Sequence, residues 1–140
     1  MKKYILSLLL LVVALPLSLT VQAQTKKGPK MVFERTSHDF GDVPRKGGDL
    51  IKEFRFVNEG DSPLVIKKIT KSCSCMTVTY SRKPVRPGEA GVIKVKYEPH
   101  KIEAGIFHKV LQIYNNTSEQ VRLITIQGNS MDDYKERKRH

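Results

Sequence analysis

The sequence predicts an all-β domain built as a sandwich of antiparallel sheets with about seven strands. Three observations favour this fold class. Apolar and polar side chains alternate with a period of two in several short runs, turn-forming residues separate those runs, and no window shows sustained helical periodicity. Because parallel strands need long crossover connections, the lack of crossover helices excludes a parallel α/β sheet.

Seven runs carry the strand pattern. In chain order they are MVFERTSHDF (31–40), DLIKEFRFVN (49–58), SPLVIKKI (62–69), CMTVTY (75–80), GVIKVKYEP (91–99), GIFHKVLQIYN (105–115) and EQVRLITIQG (119–128). The fifth run is the clearest, because Ile93, Val95 and Tyr97 share one face while Lys94 and Lys96 share the other. This alternation is typical of a strand with one buried face and one wet face.

The breaks between the runs have the composition of turns. Asn58 to Asp61 separates the second run from the third, and Asn115-Asn116 separates the last two. Pro87-Gly88 suits the centre of a type II turn, because proline presets φ and glycine tolerates a positive φ. Short strands with regularly spaced turns over about 100 residues predict an immunoglobulin-like sandwich.

The N-terminus has the pattern of an export signal. Lys2 and Lys3 precede an apolar stretch, and Val21-Gln22-Ala23 fits a signal-peptidase site. The alternative is an uncleaved membrane anchor, but the apolar stretch is short for a span of about 20 residues and Pro16 interrupts it. We therefore predict a signal peptide (1–23), a linker (24–30), one sandwich domain (31–130) and a charged disordered tail (131–140), in a periplasmic or secreted protein cleaved near Ala23.

The chain is strongly basic, with a formal net charge of +11. The predicted domain holds 16 basic and 11 acidic residues, and so keeps +5. An exported basic protein is expected to meet an acidic envelope protein or an anionic envelope polymer rather than nucleic acid. The alternative is that the charge serves solubility. No acidic residue lies between Asp61 and Glu89, and this interval predicts a basic binding face of Lys67, Lys68, Lys71, Arg82, Lys83 and Arg86.

The two cysteines of the chain, Cys73 and Cys75, leave three interpretations open. On an extended strand their Cα atoms would lie about 6.6–6.8 Å apart on one face, so a disulfide would require a kink or bulge. They are small apolar side chains near the core, or a redox pair activated by neighbouring cations, or a Cu(I) site of two thiolates. We expect no cofactor, with copper as the alternative.

Several motifs resemble a bacterial exported family of unknown function that carries a Ser-Cys-Gly-Cys-Thr signature. They are Asp39-Phe40-Gly41, Asn58-x-Gly60, Pro63-Leu64-x-Ile66, Ser72-Cys73-x-Cys75, Pro87-Gly88-Glu89 and Gly105-x-Phe107. The similarity covers about residues 33–128, and this chain departs from the signature at Ser74 and Met76. The resemblance implies a branch of the immunoglobulin-like domains related to the Hydin and major-sperm-protein groups.

No enzyme motif is recognisable. The sequence lacks a Gly-rich phosphate loop and a G-x-S-x-G elbow, and His38, His100, His108 and His140 show no ligand spacing. Asp39 and Asp42 are interpreted as turn and capping residues. We therefore expect a non-catalytic binding or scaffold domain of the cell envelope that is not an enzyme, with thiol redox or Cu(I) handling through Cys73 and Cys75 as the alternative.

Overall fold

The computed structural model describes residues 28–132, which form eight strands in two sheets. The strands are β1 (Met31–Phe33), β2 (Ser37–Pro44), β3 (Leu50–Asn58), β4 (Ile66–Lys71), β5 (Met76–Tyr80), β6 (Ala90–Tyr97), β7 (Gly105–Asn115) and β8 (Val121–Met131). One turn of 3-10 helix, Pro99–Lys101, links β6 to β7. None of the helical structure in this part of the chain has the length and hydropathy needed to span a bilayer.

The first sheet has the order β1-β3-β6-β5 and the second has the order β2-β8-β7-β4. The prediction of an all-β immunoglobulin-like sandwich is confirmed. One detail differs: the run 31–40 is divided between β1 in the first sheet and β2 in the second, which gives eight strands. The second difference is that β2 pairs with β8 in parallel, while every other pairing between the described strands is antiparallel.

The core lies between the inner faces of the two sheets. Ile93, Val95 and Tyr97 of β6 are at most 1% exposed, as their alternation predicts. The Tyr97 ring stacks on Phe107 of the opposite sheet with ring centroids 4.4 Å apart. Burial of the Tyr97 hydroxyl, which has no hydrogen-bond partner within the described residues, raises its pKa to about 12.

A buried asparagine organises one end of the sandwich. The Asn58 side chain is fully buried at the end of β3 and makes four hydrogen bonds to the main chain. Its Oδ1 accepts from the N–H groups of Lys30 and Gly60, at 3.1 and 3.0 Å. Its Nδ2 donates to the carbonyls of Ser62 and Val85, at 2.8 and 2.9 Å. One side chain therefore joins the segment before β1, the β3–β4 turn and the loop after β5.

The predicted signal peptide (1–23) and residues 24–27 of the predicted linker lie outside the described residues, as do residues 133–140 of the predicted tail. Residues 28–30 of the linker are described, and they hydrogen-bond to the β3–β4 turn: the N–H of Glu59 donates to Lys30 O, and the N–H of Asp61 donates to Gly28 O. Strand β8 continues through Met131, the first residue of the predicted tail.

Replacement of Asn58 by alanine is expected to lower the free energy of unfolding by about 3 kcal/mol, because four main-chain groups lose their partner and part of them stays buried. Urea unfolding of N58A and wild type measures the difference. Asn129→Ala is the matched control, because Asn129 makes one exposed side-chain hydrogen bond, to Asp42, and its loss should cost less than about 1 kcal/mol. Equal effects of the two variants would contradict the role of Asn58.

Candidate functional site

Strands β4 and β5 lie at the same margin of the sandwich, one at the edge of each sheet. Residues 72–75 connect them and so carry the chain from the second sheet to the first. The loop after β5 meets the segment that precedes β4 at one point, where Leu64 and Val85 exchange two main-chain hydrogen bonds of 2.8 Å. At this margin, main-chain connections therefore join the two sheets at both ends of β4 and β5.

The structure brings the six predicted binding cations to this margin. Three lie on β4 and three on the loop between β5 and β6, and all six are exposed: Lys67, Lys68, Lys71, Arg82, Lys83 and Arg86. We call these six residues the basic margin. None of the ion pairs between described residues involves them.

Two of these cations already have partners inside the domain. The Lys71 ammonium donates a hydrogen bond to the carbonyl of Met76, the first residue of β5, and so spans the crossing between the sheets. The Lys68 ammonium lies 4.6 Å from the centre of the Tyr114 ring, a cation–π contact with the neighbouring strand β7. The side chains that remain available to a ligand are those of Lys67, Arg82, Lys83 and Arg86.

The loop that carries Arg86 ends in the turn that the sequence predicts. The N–H of Glu89 donates to the carbonyl of Arg86 at 3.0 Å, and Gly88 between them has a φ of +79°. This geometry is that of a type II turn with Pro87 and Gly88 at its centre. The Glu89 carboxylate accepts from the Arg86 main-chain N–H, at 3.1 Å, and thereby fixes the end of the loop.

The prediction that Cys73 and Cys75 lie on an extended strand is wrong. They lie in the connection between β4 and β5, where Ser74 and Cys75 form a turn, so their Cα atoms are 5.2 Å apart and their sulfurs are bonded. The kink that a bond between these two residues requires is supplied by this turn. The N–H of Cys75 donates to Cys73 Sγ at 3.1 Å, and the Cys75 carbonyl accepts from the N–H of Glu98 at 2.9 Å.

The two cysteine residues differ in exposure. Cys75 is 1% exposed and belongs to the core, whereas Cys73 is half-buried and packs against the core from outside. In the bonded form neither sulfur is a thiolate, so Cu(I) binding by this pair would require its reduction. In residues 28–132 no three His, Cys, Asp or Glu side chains are grouped so that they could hold a metal ion.

A groove lies on the second sheet, where β2, β8 and β7 adjoin, and acidic, amide and apolar side chains line it. It has a volume of about 340 Å³ and is bordered by Asp39, Asp42 and His108. Asp39 accepts from Gln127 Nε2 and from the N–H of Gly41, and these two hydrogen bonds hold its pKa below the usual value. The interpretation of Asp39 and Asp42 as turn and capping residues is wrong, because both lie within strand β2, on either side of its register shift. The hydrogen bond from the N–H of Gly41 to Asp39 is made at this irregularity of the strand.

The open edge of β5 belongs to the same margin but was not predicted as part of the site. The sequence pattern that could have indicated it is the run Thr77-Val78-Thr79-Tyr80, which has no charge, proline or glycine and lies between two groups of cations. Such a run is typical of a strand that pairs well. Which of its two edges is covered depends on the position of β6, and only the structure supplies that position.

A family model described as "Protein of unknown function (DUF1573)" matches residues 31–130. The chain belongs to this family. The match includes the whole basic margin and both cysteines of the DUF1573 domain, so these features lie within the shared domain rather than in an appended segment. A search of curated proteins found no match to the chain.

Solved structures share the fold at low identity. A protein of unknown function from Porphyromonas gingivalis W83 superimposes with a TM-score of 0.66 at 19% identity, over 79% of this chain and 51% of that one. The ASH / PapD-like domain 7 of human CEP192 gives 0.61 at 10% identity, over 86% and 99%. The Vibrio cholerae VesB protease gives 0.58 at 14% identity, over 71% and 32%.

These likenesses establish a PapD-like, immunoglobulin-like fold and nothing about activity, because identity is below 20% in each case. This DUF1573 chain spans about half of the Porphyromonas protein and about a third of the protease.

Replacement of Lys71 by methionine is expected to lower the free energy of unfolding by about 1 kcal/mol, because a charge-assisted hydrogen bond at a largely exposed position is lost. Urea unfolding measures the change. Lys67→Met is the matched control, since Lys67 lies on the same strand and has no side-chain partner among the described residues; its effect should stay within about 0.5 kcal/mol. Equal values would show that the bond across the sheet crossing contributes no stability.

Proposed function

We propose that this protein is a non-catalytic binding domain of the cell envelope whose basic margin binds an acidic segment of another envelope protein. One observation carries the proposal: the edge strand β4 and the loop between β5 and β6 place six cations together, while residues 62–88 contain no acidic residue. Exposed cations that lack a partner are available to a ligand of opposite charge.

Five cations outside the margin form ion pairs within the described residues, whereas none of the six in the margin does. Lys30 pairs with Glu59 at 3.3 Å, and Lys101 pairs with Glu98 at 2.9 Å. Lys96 lies within 3.7 Å of both Asp49 and Glu98, and these carboxylates raise its pKa. A surface that serves only solubility would carry interspersed charges of both signs, as the surface around these ion pairs does.

The surroundings of the described histidines support a non-catalytic role. Histidine catalysis requires a hydrogen bond to a nucleophile or to an orienting carboxylate. Within residues 28–132, His38, His100 and His108 make no side-chain hydrogen bond. The neighbour of His38 is the Phe40 ring, 4.5 Å away edge-on, and burial followed by the charge of Lys52 lowers the His38 pKa.

The location and the wider relationship are further parts of the proposal. The export signal predicted at residues 1–23 supports a periplasmic or secreted protein, for which protein or anionic polymer is a more accessible partner than nucleic acid. We also propose the relation to the Hydin and major-sperm-protein groups that the resemblance to the exported family implies. Cleavage near Ala23 would be visible as a mature N-terminus at Gln24.

Charge reversal of the margin tests the proposal. The variant Lys67→Glu, Arg82→Glu, Lys83→Glu should bind a fluorescent decaglutamate peptide at least tenfold more weakly than wild type at about 50 mM salt, with a flatter salt dependence, because exposed charges are screened by salt. Fluorescence anisotropy measures the binding. Lys71 is left unchanged, since its substitution would also break the bond to Met76.

The control carries the same change in net charge at a different place. Arg35→Glu, Lys46→Glu, Arg55→Glu replaces three exposed cations that have no ion pair within the described residues. Equal weakening by both triple variants would mean that net charge alone drives binding and would overturn the proposal. Binding of lipopolysaccharide but not of decaglutamate would assign the margin to an anionic polymer instead.

Thiol–disulfide exchange is a second candidate function. It is supported by the bonded sulfurs and by their unequal exposure, with cations on either side in the sequence. An incoming thiolate would attack the more accessible Cys73 Sγ, the S–S bond would break, and the electron pair would pass to Cys75 Sγ, which takes a proton from solvent. The product is a mixed disulfide at Cys73.

Single-cysteine variants test this second candidate. With oxidised glutathione, Cys75→Ala should form the mixed disulfide at Cys73 at least tenfold faster than Cys73→Ala forms one at Cys75, because Cys75 is enclosed by the core. Mass spectrometry of alkylated samples measures both rates. If Cys73 in Cys75→Ala stays unmodified for hours in the folded protein, exchange is excluded as a function.

A further inference from the structure

Strand β5 is the one described edge strand whose outer edge lacks a structural feature that blocks pairing. Of the other three edges, β1 has only three residues, β2 has a register shift between Asp39 and Asp42, and β4 has a shift between Ile66 and Lys68. Short length, bulges and charged residues all discourage the addition of a further strand. Strand β5 is regular over Met76–Tyr80 and carries Thr, Val and Tyr instead of charges.

The hydrogen bonds of β5 fix which of its residues face away from β6. The Cys75 carbonyl accepts from the N–H of Glu98, the residue that follows β6, and in an antiparallel pair the main-chain groups of alternate residues point to the same side. Thr77 and Thr79 therefore pair with β6. The N–H and C=O groups of Val78 point to the open edge.

The main-chain groups of Met76 and Tyr80 also point away from β6, but those of Met76 already have partners. The Met76 carbonyl is occupied by the Lys71 ammonium, and its N–H lies against the Cys73 carbonyl at 3.4 Å. The open groups are therefore the two donors and two acceptors of Val78 and Tyr80, for which the described residues supply no main-chain partner. An extended segment presents groups at the same two-residue spacing.

The charges beside this edge favour one occupant. Lys71 stands at the beginning of β5, and Arg82 and Lys83 follow its end. A second copy of this chain would bring cations against cations, whereas an acidic segment would meet opposite charge along its length. From the open edge and these charges we infer that β5 binds an extended, acidic segment of a partner protein by β-strand addition, at Val78 and Tyr80. This rests on the proposed function and specifies its mode of binding.

The test removes one outward N–H group and keeps the sheet. Val78→Pro deletes the donor that faces the open edge, where proline is tolerated because β6 does not use it. Val78→Ala is the matched control, since it shortens the side chain and keeps the N–H. Both variants are first compared with wild type by ¹H–¹⁵N correlation spectra, which show whether they fold. If Val78→Pro does not fold, the double variant Val78→Ala/Tyr80→Pro takes its place.

The probe is a set of twelve-residue peptides selected from a random displayed library against the purified protein. We expect acidic sequences rich in β-branched residues that bind Val78→Pro at least tenfold more weakly than wild type, and Val78→Ala within threefold. On binding, the amide protons of Val78 and Tyr80 should become protected from hydrogen exchange. Peptides that bind Val78→Pro as tightly as wild type, or a selection dominated by basic peptides, would overturn the inference.

Two further outcomes separate this inference from the proposed function. If charge reversal at Lys67, Arg82 and Lys83 weakens peptide binding but Val78→Pro does not, the basic margin stands and strand addition is overturned. If Val78→Pro abolishes binding but charge reversal has no effect, the acidic nature of the occupant is overturned together with the proposed function. If analytical ultracentrifugation shows that wild type is a dimer and that the Val78→Pro variant is a monomer, a second copy of the chain occupies β5 and the inference is overturned.

Discussion

The position of the candidate site depends on the hydrogen bonds of one buried amide. Asn58 uses both its oxygen and its nitrogen twice, so its desolvated polar atoms are satisfied by the main chain. Its own N–H and C=O groups bond to Glu89 and Gly88, at 3.0 and 2.7 Å. The loop that carries Arg82, Lys83 and Arg86 is thus held at its far end by a residue of β3. A polar group in the core here specifies where a surface segment lies, which apolar packing alone would leave less defined.

The two ends of β4 and β5 are fixed by different chemistry. At one end, the turn of Ser74 and Cys75 and the hydrogen bond from Lys71 join the sheets. At the other end, the join is the main-chain bridge between Leu64 and Val85, beneath which both side chains are buried. The basic margin is consequently held at both ends by these joins, and a partner would meet the main chain that carries its cations at positions that the core determines. Such a preformed surface loses little conformational entropy on binding.

The sequence predicted the fold well where the structure depends on local pattern. The alternation of Ile93, Val95 and Tyr97 with two lysines identifies β6, and Pro87-Gly88 identifies its preceding turn. The division of 31–40 into β1 and β2 could not be predicted, because the switch between sheets depends on partners far along the chain. The turn at Ser74 was not predicted, because serine indicates a turn less strongly than glycine does. The cations could be named from the acid-free interval, but the engagement of Lys71 by Met76 depends on where the chain crosses between the sheets.

The parallel pairing of β2 with β8 has a consequence for how the domain is made. Strand β2 follows closely on the first strand, and β8 is the last, yet Ser37 is paired with Thr125 and Pro44 with Met131. Beyond the strands, Arg45 is ion-paired with Asp132 at 2.7 Å. Before β8 has been synthesised, β2 therefore has no neighbour to pair with among the described strands, and β7 lacks one of its two neighbours. Completion of the second sheet must await synthesis of β8, so the pairings of β2 form only after a long intervening stretch of chain has been made.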